Sequence, residues 1–356
     1  MKKKAVLWGA LVFVLLAIGA VLILLPRIKA YIPYYKDMKG IDQPDIPYTL
    51  TIEKTDFENE VAVRLAENEV VVSSVRFLNY INENYPDFVW YNGIYNLNAN
   101  MSYKELCEAL MEPDVALNYV KFVVPEGTRI FEIAKIVAES GLCTEEEFLL
   151  AADSYDYDYS FIDELKERDQ SLIGYKLEGF LFPATYEFRA DTVTAREIVD
   201  KMLHTFGQYV TDDMIAQAEN LGLSVNEFVS FASVLQGEAY NPETMSGAAG
   251  VFWNRLNSDS YHLLQSDPTT NYAKTLESLP HCTESMKNAY DTYKCTGLPI
   301  GPINCPGVDS FQAVLNPEKS EYYYFVTDVN GKFYFNKTLS DHNKTIRSLV
   351  NQGLWA

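Results

Sequence analysis

An uncharged apolar run of 21 residues near the amino terminus constrains this chain most. Residues 5–25 contain no charged side chain and consist mostly of Leu, Val, Ile and Ala. A helix rises about 1.5 Å per residue, so this run would be about 31 Å long, which matches the hydrocarbon core of a membrane. The sequence therefore predicts a transmembrane helix over residues 5–25.

The charges that flank this run predict its orientation. Three lysines occupy residues 2–4, and only Arg27 and Lys29 follow closely. The positive-inside bias then places residues 1–4 in the cytoplasm and the rest of the chain outside. A cleaved signal peptide is the alternative, but the apolar run is longer than a usual signal-peptide core, so we favour an uncleaved anchor.

The remainder of the chain is acidic and able to fold. The 356 residues suggest two or three domains, and 48% hydrophobic residues are too many for a disordered chain. The net charge is −20; because the first 30 residues hold five of the 29 Lys and Arg and no acid, the rest carries 24 bases against 49 acids, or −25. Such a surface repels phosphate, so we expect no nucleic-acid partner.

The cysteines argue against a metal site. They are odd in number, and none forms a C-x-x-C pair: Cys107, Cys143, Cys282, Cys295 and Cys305. With only four histidines in the chain, a structural zinc site is improbable. We therefore expect incidental thiols, of which at least one is unpaired in the monomer, with no metal and no cofactor.

Two segments of the first half share one pattern. Residues 49–83 and 120–154 each indicate a short strand followed by two amphipathic helices, with Ser73 and Thr144 at equivalent helix starts. The fold class predicted is thus α+β. The predicted order is a cytoplasmic end at 1–4, the anchor at 5–25, a membrane-proximal α/β module at 30–118, a LysM-like module at 119–160 and a mixed α/β catalytic domain at 165–356.

The segment 223–242 carries the strongest candidate for chemistry. Ser224 and Glu227 form a capping box, and an apolar stripe then runs at three- and four-residue steps. The next step of the stripe falls on Glu238, near the carboxyl end of the helix. Burial and the negative end of the helix dipole both raise the pKa of such a carboxyl group, as a general acid requires. The alternative is a glutamate at a frayed helix end that turns to solvent.

Polar residues cluster on both sides of this helix. The segment LEGFLFPATYEF (177–188) alternates polar and apolar residues like a strand, with Glu178 and Tyr186 among its polar members. The strings VFWNRL (251–256) and LLQSDPTTNY (263–272) follow the helix. They supply further candidates for substrate binding: Asn254, Arg255, Gln265, Asp267, Thr269 and Tyr272. Planar polar groups and many aromatic rings are typical of a sugar-binding cleft.

Taken together, these strings resemble a known family. EGFLFPATYEF, FASVLQGEA, VFWNRL, LLQSDPTTNY, TYKCTGLPIGPINCPG, YYYFV and FNKTLSDHNK are similar, in this order, to motifs of the MltG/YceG-like endolytic murein transglycosylases. The resemblance is strong over about 175–345 and looser before it. It implies a single-pass membrane enzyme that cleaves nascent peptidoglycan between MurNAc and GlcNAc, leaves 1,6-anhydroMurNAc ends and thereby terminates strand elongation. It also suggests cell-wall synthases as protein partners.

The resemblance assigns roles to individual residues. The family's catalytic glutamate falls on Glu238, and His342 and Asn343 lie in a motif that would contact substrate. This sequence departs from the family at Gln236, where many members have glutamate, and at Phe333, where histidine is usual. Neither departure removes the proposed acid.

Two other functions remain open on the sequence. One carboxyl group is enough for a transglycosylase, in which Glu238 donates a proton and then takes one back. A muramidase that hydrolyses the bond would need a second carboxylate, and Asp267 and Glu178 are the candidates. The third possibility is a non-catalytic scaffold that binds peptidoglycan through its LysM-like part.

Overall fold

A computed structural model of the chain describes Val21, Leu24, Leu25, residues 31–239 and residues 241–355. Almost all of the predicted anchor at 5–25 lies outside these residues. Within the described part, no helix combines the length and the apolar composition needed to cross a membrane.

The described residues form two compact units that divide after Asn118. The first unit contains an antiparallel sheet of order β1-β2-β3 and three helices that follow residues 31–39, which are themselves helical. Its elements are β1 (Pro47–Ile52), α1 (Glu58–Glu67), α2 (Ser74–Asn84), β2 (Gly93–Asn98), α3 (Tyr103–Leu110) and β3 (Val115–Ala116). Side chains from both the sheet and the helices fill one core, in which Phe77 and Tyr103 pack edge to face.

The second unit is mainly helical and has two antiparallel strand pairs, β4-β5 and β6-β7. Its first elements are β4 (Tyr119–Val123), α4 (Ile130–Glu139), α5 (Glu145–Ala152), α6 (Ser160–Lys166), β5 (Thr185–Arg189), α7 (Ala195–Tyr209) and α8 (Asp212–Asn220). Its remaining elements are α9 (Val225–Glu238), α10 (Pro242–Leu256), α11 (Asp267–Thr275), α12 (Glu284–Tyr290), α13 (Val308–Leu315), β6 (Tyr324–Thr327), β7 (Phe333–Asn336) and α14 (Leu339–Asn351). The mixed α+β class predicted from the sequence is therefore confirmed.

The repeated strand-helix-helix order is present in the structure. It appears as β1, α1 and α2 in the first unit and as β4, α4 and α5 in the second. Thr144 closes the expected capping box with Glu147, whereas the side chain of Ser73 makes no capping hydrogen bond. Because β4 pairs with β5, the predicted LysM-like region shares a sheet and a core with the residues that follow it. The LysM-like assignment itself stays a prediction.

Helix α9 is the centre of the second unit. Its start is stabilised by the predicted capping box between Ser224 and Glu227. The Glu164 carboxylate also accepts hydrogen bonds from the backbone N–H groups of Val225 and Asn226. The helix packs against α10 and α13, and every residue of 228–236 is buried, so its buried surface is wider than the predicted single apolar stripe. Ser230 and Ser233 tolerate this burial because each donates its hydroxyl to a backbone carbonyl one turn earlier.

The predicted strand at 177–188 is shorter than expected. Only Thr185–Arg189 pairs with β4, and residues before it form turns. Gly179 has φ +83°, and a Cβ atom there would lie 2.3 Å from Pro302. Tertiary contact therefore decides the backbone at this point.

Candidate active site

A cavity of about 420 Å³ opens beside the carboxyl end of α9. We call it the Glu238 cavity. Five of the residues predicted from the sequence lie on its wall: Glu238, Arg255, Gln265, Asp267 and His342. They come from α9, α10, the start of α11 and α14, which the tertiary fold brings to one place.

Glu238 is partly buried and does not turn out to solvent. Its Oε1 accepts a hydrogen bond of 2.6 Å from the Ser266 hydroxyl. Burial raises the pKa of Glu238 to about 7; the Ser266 hydrogen bond and the charge of Arg255 lower it, and the charge of Asp267 raises it. A carboxyl group with a pKa near neutrality can give up a proton and take one back at the same pH.

Arg255 supplies positive charge to the cavity. The side chain is buried, and backbone carbonyls hold it: Nε donates to Tyr323 at 2.7 Å, and Nη1 donates to Leu264. Its guanidinium lies 5.3 Å from the centre of the Tyr324 ring. Burial lowers the pKa of Arg255, and the negative charge of Glu238 opposes that effect. The arginine is therefore a fixed cation beside the acid.

The start of α11 forms the part of the wall next to Glu238. Asp267 is exposed, and its Oδ1 accepts a hydrogen bond of 2.8 Å from the Tyr293 hydroxyl, which also lines the cavity. Gln265 precedes it with φ +54°, a left-handed conformation that is uncommon for a residue other than glycine. Strained backbone of this kind is often found at functional sites.

Helix α14 and the chain after it complete the wall. The ring of His342 lies 5.4 Å from that of Tyr324, and its Nδ1 is buried without a hydrogen-bond partner among the described residues. Burial and the charge of Arg255 lower the pKa of His342, which favours the neutral ring. Trp355 lines the same cavity and is exposed. Both side chains are available to a ligand in the cavity.

The structure places Glu178 and Tyr272 elsewhere, in the core. Glu178 is buried, and its carboxyl oxygens accept hydrogen bonds from the Ile130 N–H at 3.0 Å and from the Tyr272 hydroxyl at 3.2 Å. Burial raises the pKa of Glu178 to about 8. Of the two carboxylates predicted as partners for Glu238, only Asp267 lies on the cavity wall.

Four other predicted binding residues also lie away from the wall of this cavity. The Tyr186 hydroxyl donates to Phe182 O, the Asn254 amide donates to the carbonyls of Ser320 and Tyr322, and the Thr269 hydroxyl donates to Ser266 O. Asn343 is exposed on α14. The Asn254 and Thr269 hydrogen bonds hold backbone next to the wall residues Tyr324 and Asp267, and direct binding by all four residues stays a prediction.

Gln236 occupies the position where many family members have glutamate. Its Oε1 accepts hydrogen bonds from Gly307 N–H at 3.0 Å and from the Ser310 hydroxyl at 2.6 Å. The side chain is buried and does not line the Glu238 cavity. Gln236 therefore connects α9 to α13. Its hydrogen bonds go to Gly307 and Ser310 and not to Glu238, the candidate acid.

Several wall residues had no individual prediction from the sequence. They are Phe252, Tyr293, Tyr324, Phe325, Val326, Thr327, Leu339 and Trp355. The strings YYYFV and TYKCTG contain some of them, but the pattern did not indicate which ring faces the cavity. Ser266 was also missed, although it stands directly before Asp267.

A family model describes most of this chain. The YceG-like family matches residues 50–348. The chain belongs to the YceG-like family. The resemblance seen in the sequence motifs is thereby confirmed.

Relatives of this YceG-like chain are named for one activity. An endolytic murein transglycosylase of Bacillus subtilis (strain 168) is 29% identical over 331 residues, which cover 90% of this chain and 88% of the relative. An endolytic murein transglycosylase of Streptococcus pneumoniae serotype 2 is 29% identical over 324 residues, which cover 83% of this chain and 57% of the relative. The crystal structure of a YceG-like protein from Listeria monocytogenes has 30% identity and a TM-score of 0.54, and the match covers 85% of this chain and all of that one.

Proposed function

We propose that this chain is an endolytic murein transglycosylase that cleaves peptidoglycan glycan strands between MurNAc and GlcNAc. The observation that carries the proposal is Glu238, a partly buried carboxyl group with a pKa near 7 on the wall of a cavity. The names of its relatives support the same activity.

The reaction uses Glu238 twice. The protonated carboxyl group donates its proton to the glycosidic oxygen, and the bond from that oxygen to MurNAc C1 breaks. The C6 hydroxyl of the same MurNAc then attacks C1, and the Glu238 carboxylate takes the proton of that hydroxyl. No water is consumed, the product is a 1,6-anhydroMurNAc end, and the acid returns to its starting state.

The other charges of the cavity assist this cycle. Positive charge develops at C1 as the bond breaks. The acidic side chain of Asp267, which lies on the cavity wall, can stabilise that charge. Arg255 favours the carboxylate form of Glu238, which is the form that the second step needs. Both forms of the acid are therefore accessible near pH 7.

The chemistry is tested by the ends of the product. Full-length protein is incubated with glycan strands, and the released muropeptides are analysed by mass spectrometry. We expect anhydro ends, which are one water lighter than reducing ends. Reducing ends would instead indicate a two-acid muramidase with Asp267 as the second carboxylate, and the absence of cleavage would leave only the binding scaffold.

The proposal includes a membrane anchor at residues 5–25, with residues 1–4 in the cytoplasm and the catalytic unit outside, where it can contact cell-wall synthases. Full-length protein should then sediment with membranes at its complete mass of 40.5 kDa, and protease added outside should digest its carboxyl-terminal part. A variant with Leu15→Arg and Leu16→Arg should leave the membrane, because each central arginine costs roughly 2.5–3.5 kcal/mol of insertion free energy. A soluble wild-type product that begins near Val21 would contradict the anchor.

A further inference from the structure

Ser266 is the direct partner of the candidate acid, although the reaction described above gives it no role. Its hydroxyl donates to Glu238 Oε1 over 2.6 Å. The residue is fully buried at the amino-terminal cap of α11. We propose that Ser266 is a positioning residue that holds Oε1 of Glu238 and so leaves Oε2 to carry the proton that is transferred.

Ser266 occupies a helix cap but accepts no hydrogen bond from the helix. A serine at a helix cap normally accepts a hydrogen bond from a backbone N–H of the first turn. Ser224 does so at α9, and Thr194 and Thr283 do so at their helices. Ser266 does not, and Pro268 lacks one of the N–H groups that could have used it. Ser224 and Thr194 donate their hydroxyls to a glutamate of their own helix, whereas Ser266 donates to Glu238 on another helix.

The backbone of Ser266 is locked, so the hydroxyl has a defined direction. Its N–H donates to Thr292 Oγ1 at 2.9 Å, and its carbonyl accepts from Thr269 Oγ1 at 2.6 Å. The two threonine hydroxyls lie 2.8 Å apart, and all three residues are fully buried. Thr269 therefore helps to hold Ser266 in place.

The chemical consequence concerns the two oxygens of Glu238. An oxygen that already receives a hydroxyl proton is a poor place for a second proton, so protonation is directed to Oε2. When the acid has given up its proton, the same hydroxyl stabilises the carboxylate, because hydrogen bonds to a charged group are stronger than those to a neutral one. Ser266 thus orients the acid and keeps its pKa from rising further.

Other groups on the cavity wall also act on Glu238, and the test must hold them constant. The charged or titratable groups there are Arg255, Asp267, Tyr293, Tyr324 and His342. A substitution at Ser266 keeps all five of these side chains. The structure also offers a matched control in Ser310, a fully buried serine whose hydroxyl donates over the same 2.6 Å to the amide of Gln236 on the same helix.

The experiment measures kcat/KM for strand cleavage by full-length protein across pH 5–9. The acid must be protonated, so the wild-type rate should fall above an apparent pKa near 7. In Ser266→Ala this alkaline limb should move upward by about one pH unit, because a donor to the carboxylate is lost. Ser266→Thr should restore the wild-type limb, and Ser310→Ala should leave it where it is.

A second readout does not depend on turnover. The Glu238 carboxyl signal in 13C-glutamate NMR, assigned by its absence in Glu238→Gln, should titrate higher in Ser266→Ala than in wild type. If Ser266→Ala does not fold, Ser266→Cys provides a weaker donor and should give a smaller shift in the same direction. The positioning role would be overturned if, in Ser266→Ala, both the alkaline limb of the kcat/KM profile and the NMR titration of Glu238 stayed at their wild-type values.

This inference rests on the proposed function, but the two can fail separately. If the wild-type protein produces no anhydro ends, the function is wrong before any variant is made. If it produces them and Glu238→Gln does not, while Ser266→Ala keeps the wild-type pH limb, only the role of Ser266 is wrong.

Discussion

Glutamine at position 238 is expected to reduce strand cleavage by at least about 10²–10⁴-fold, because an amide cannot deliver the proton that the leaving oxygen needs. The side chain keeps its size, and its carbonyl oxygen can still accept the Ser266 hydrogen bond. The rate of cleavage is measured from the amount of anhydro ends released over time. Glu219→Gln, on the exposed surface of α8, is the matched control and should cleave like wild type.

The same variant should show that Glu238 is an acid with a raised pKa. The folded-state pKa of about 7 lies above the usual glutamate value of 4.5, so folding favours the protonated form and stability falls as pH rises between these values. Glu238→Gln should therefore be more stable than wild type at pH 8, by up to about 3 kcal/mol, and equal to it at pH 4. Urea unfolding at the two pH values measures this. A fully active Glu238→Gln protein would end the catalytic assignment.

Alanine at position 178 is expected to destabilise the second unit by about 2–4 kcal/mol at pH 6, because it leaves two buried donors without an acceptor and opens a cavity. The donors are the Ile130 N–H at the start of α4 and the Tyr272 hydroxyl on α11. Glu178 therefore connects the predicted LysM-like region to the helix that begins at the active site. The free energy of unfolding in urea is the measurement.

Glutamine at position 178 separates hydrogen bonding from charge. The pKa of Glu178 is about 8, so the wild-type group is protonated at pH 6 and resembles an amide. The free energy of unfolding of Glu178→Gln should equal that of wild type at pH 6. It should be larger than that of wild type at pH 9, where the wild-type carboxylate is charged and buried. Glu219→Ala should change nothing at either pH. A Glu178→Ala protein as stable as wild type would show that the two hydrogen bonds contribute little.

Much of the local structure could be predicted from short patterns. The capping box of Ser224 and Glu227 marked the start of α9 correctly, because both of its bonds form within one turn. The period of apolar residues reached Glu238 because a helix repeats every 3.6 residues. The apolar stripe did not predict that all of residues 228–236 are buried. Ser230 and Ser233 are polar in sequence, but they can be buried because their hydroxyls donate to backbone carbonyls of the same helix.

The family motifs were equally readable from sequence, but their geometry was not. Asn254 and Arg255 are neighbours in one motif, yet Arg255 lines the cavity while the amide of Asn254 holds the backbone of residues 320–322. Glu178 and Asp267 were equal candidates for a second acid, and only the fold placed Asp267 on the wall and Glu178 in the core.

The sequence alone determined the α+β class, the capped helix that carries Glu238 and the family to which the chain belongs, because each of these depends on residues close together in the chain. Tertiary structure decided which polar groups meet. The 2.6 Å hydrogen bond between Ser266 and Glu238 joins residues 28 positions apart. Trp355 lines the same cavity as Glu238, although the two residues are far apart in the chain. Burial sets the pKa of Glu238, and burial is the sum of contacts from α9, α10, α11 and α14 that no local pattern contains.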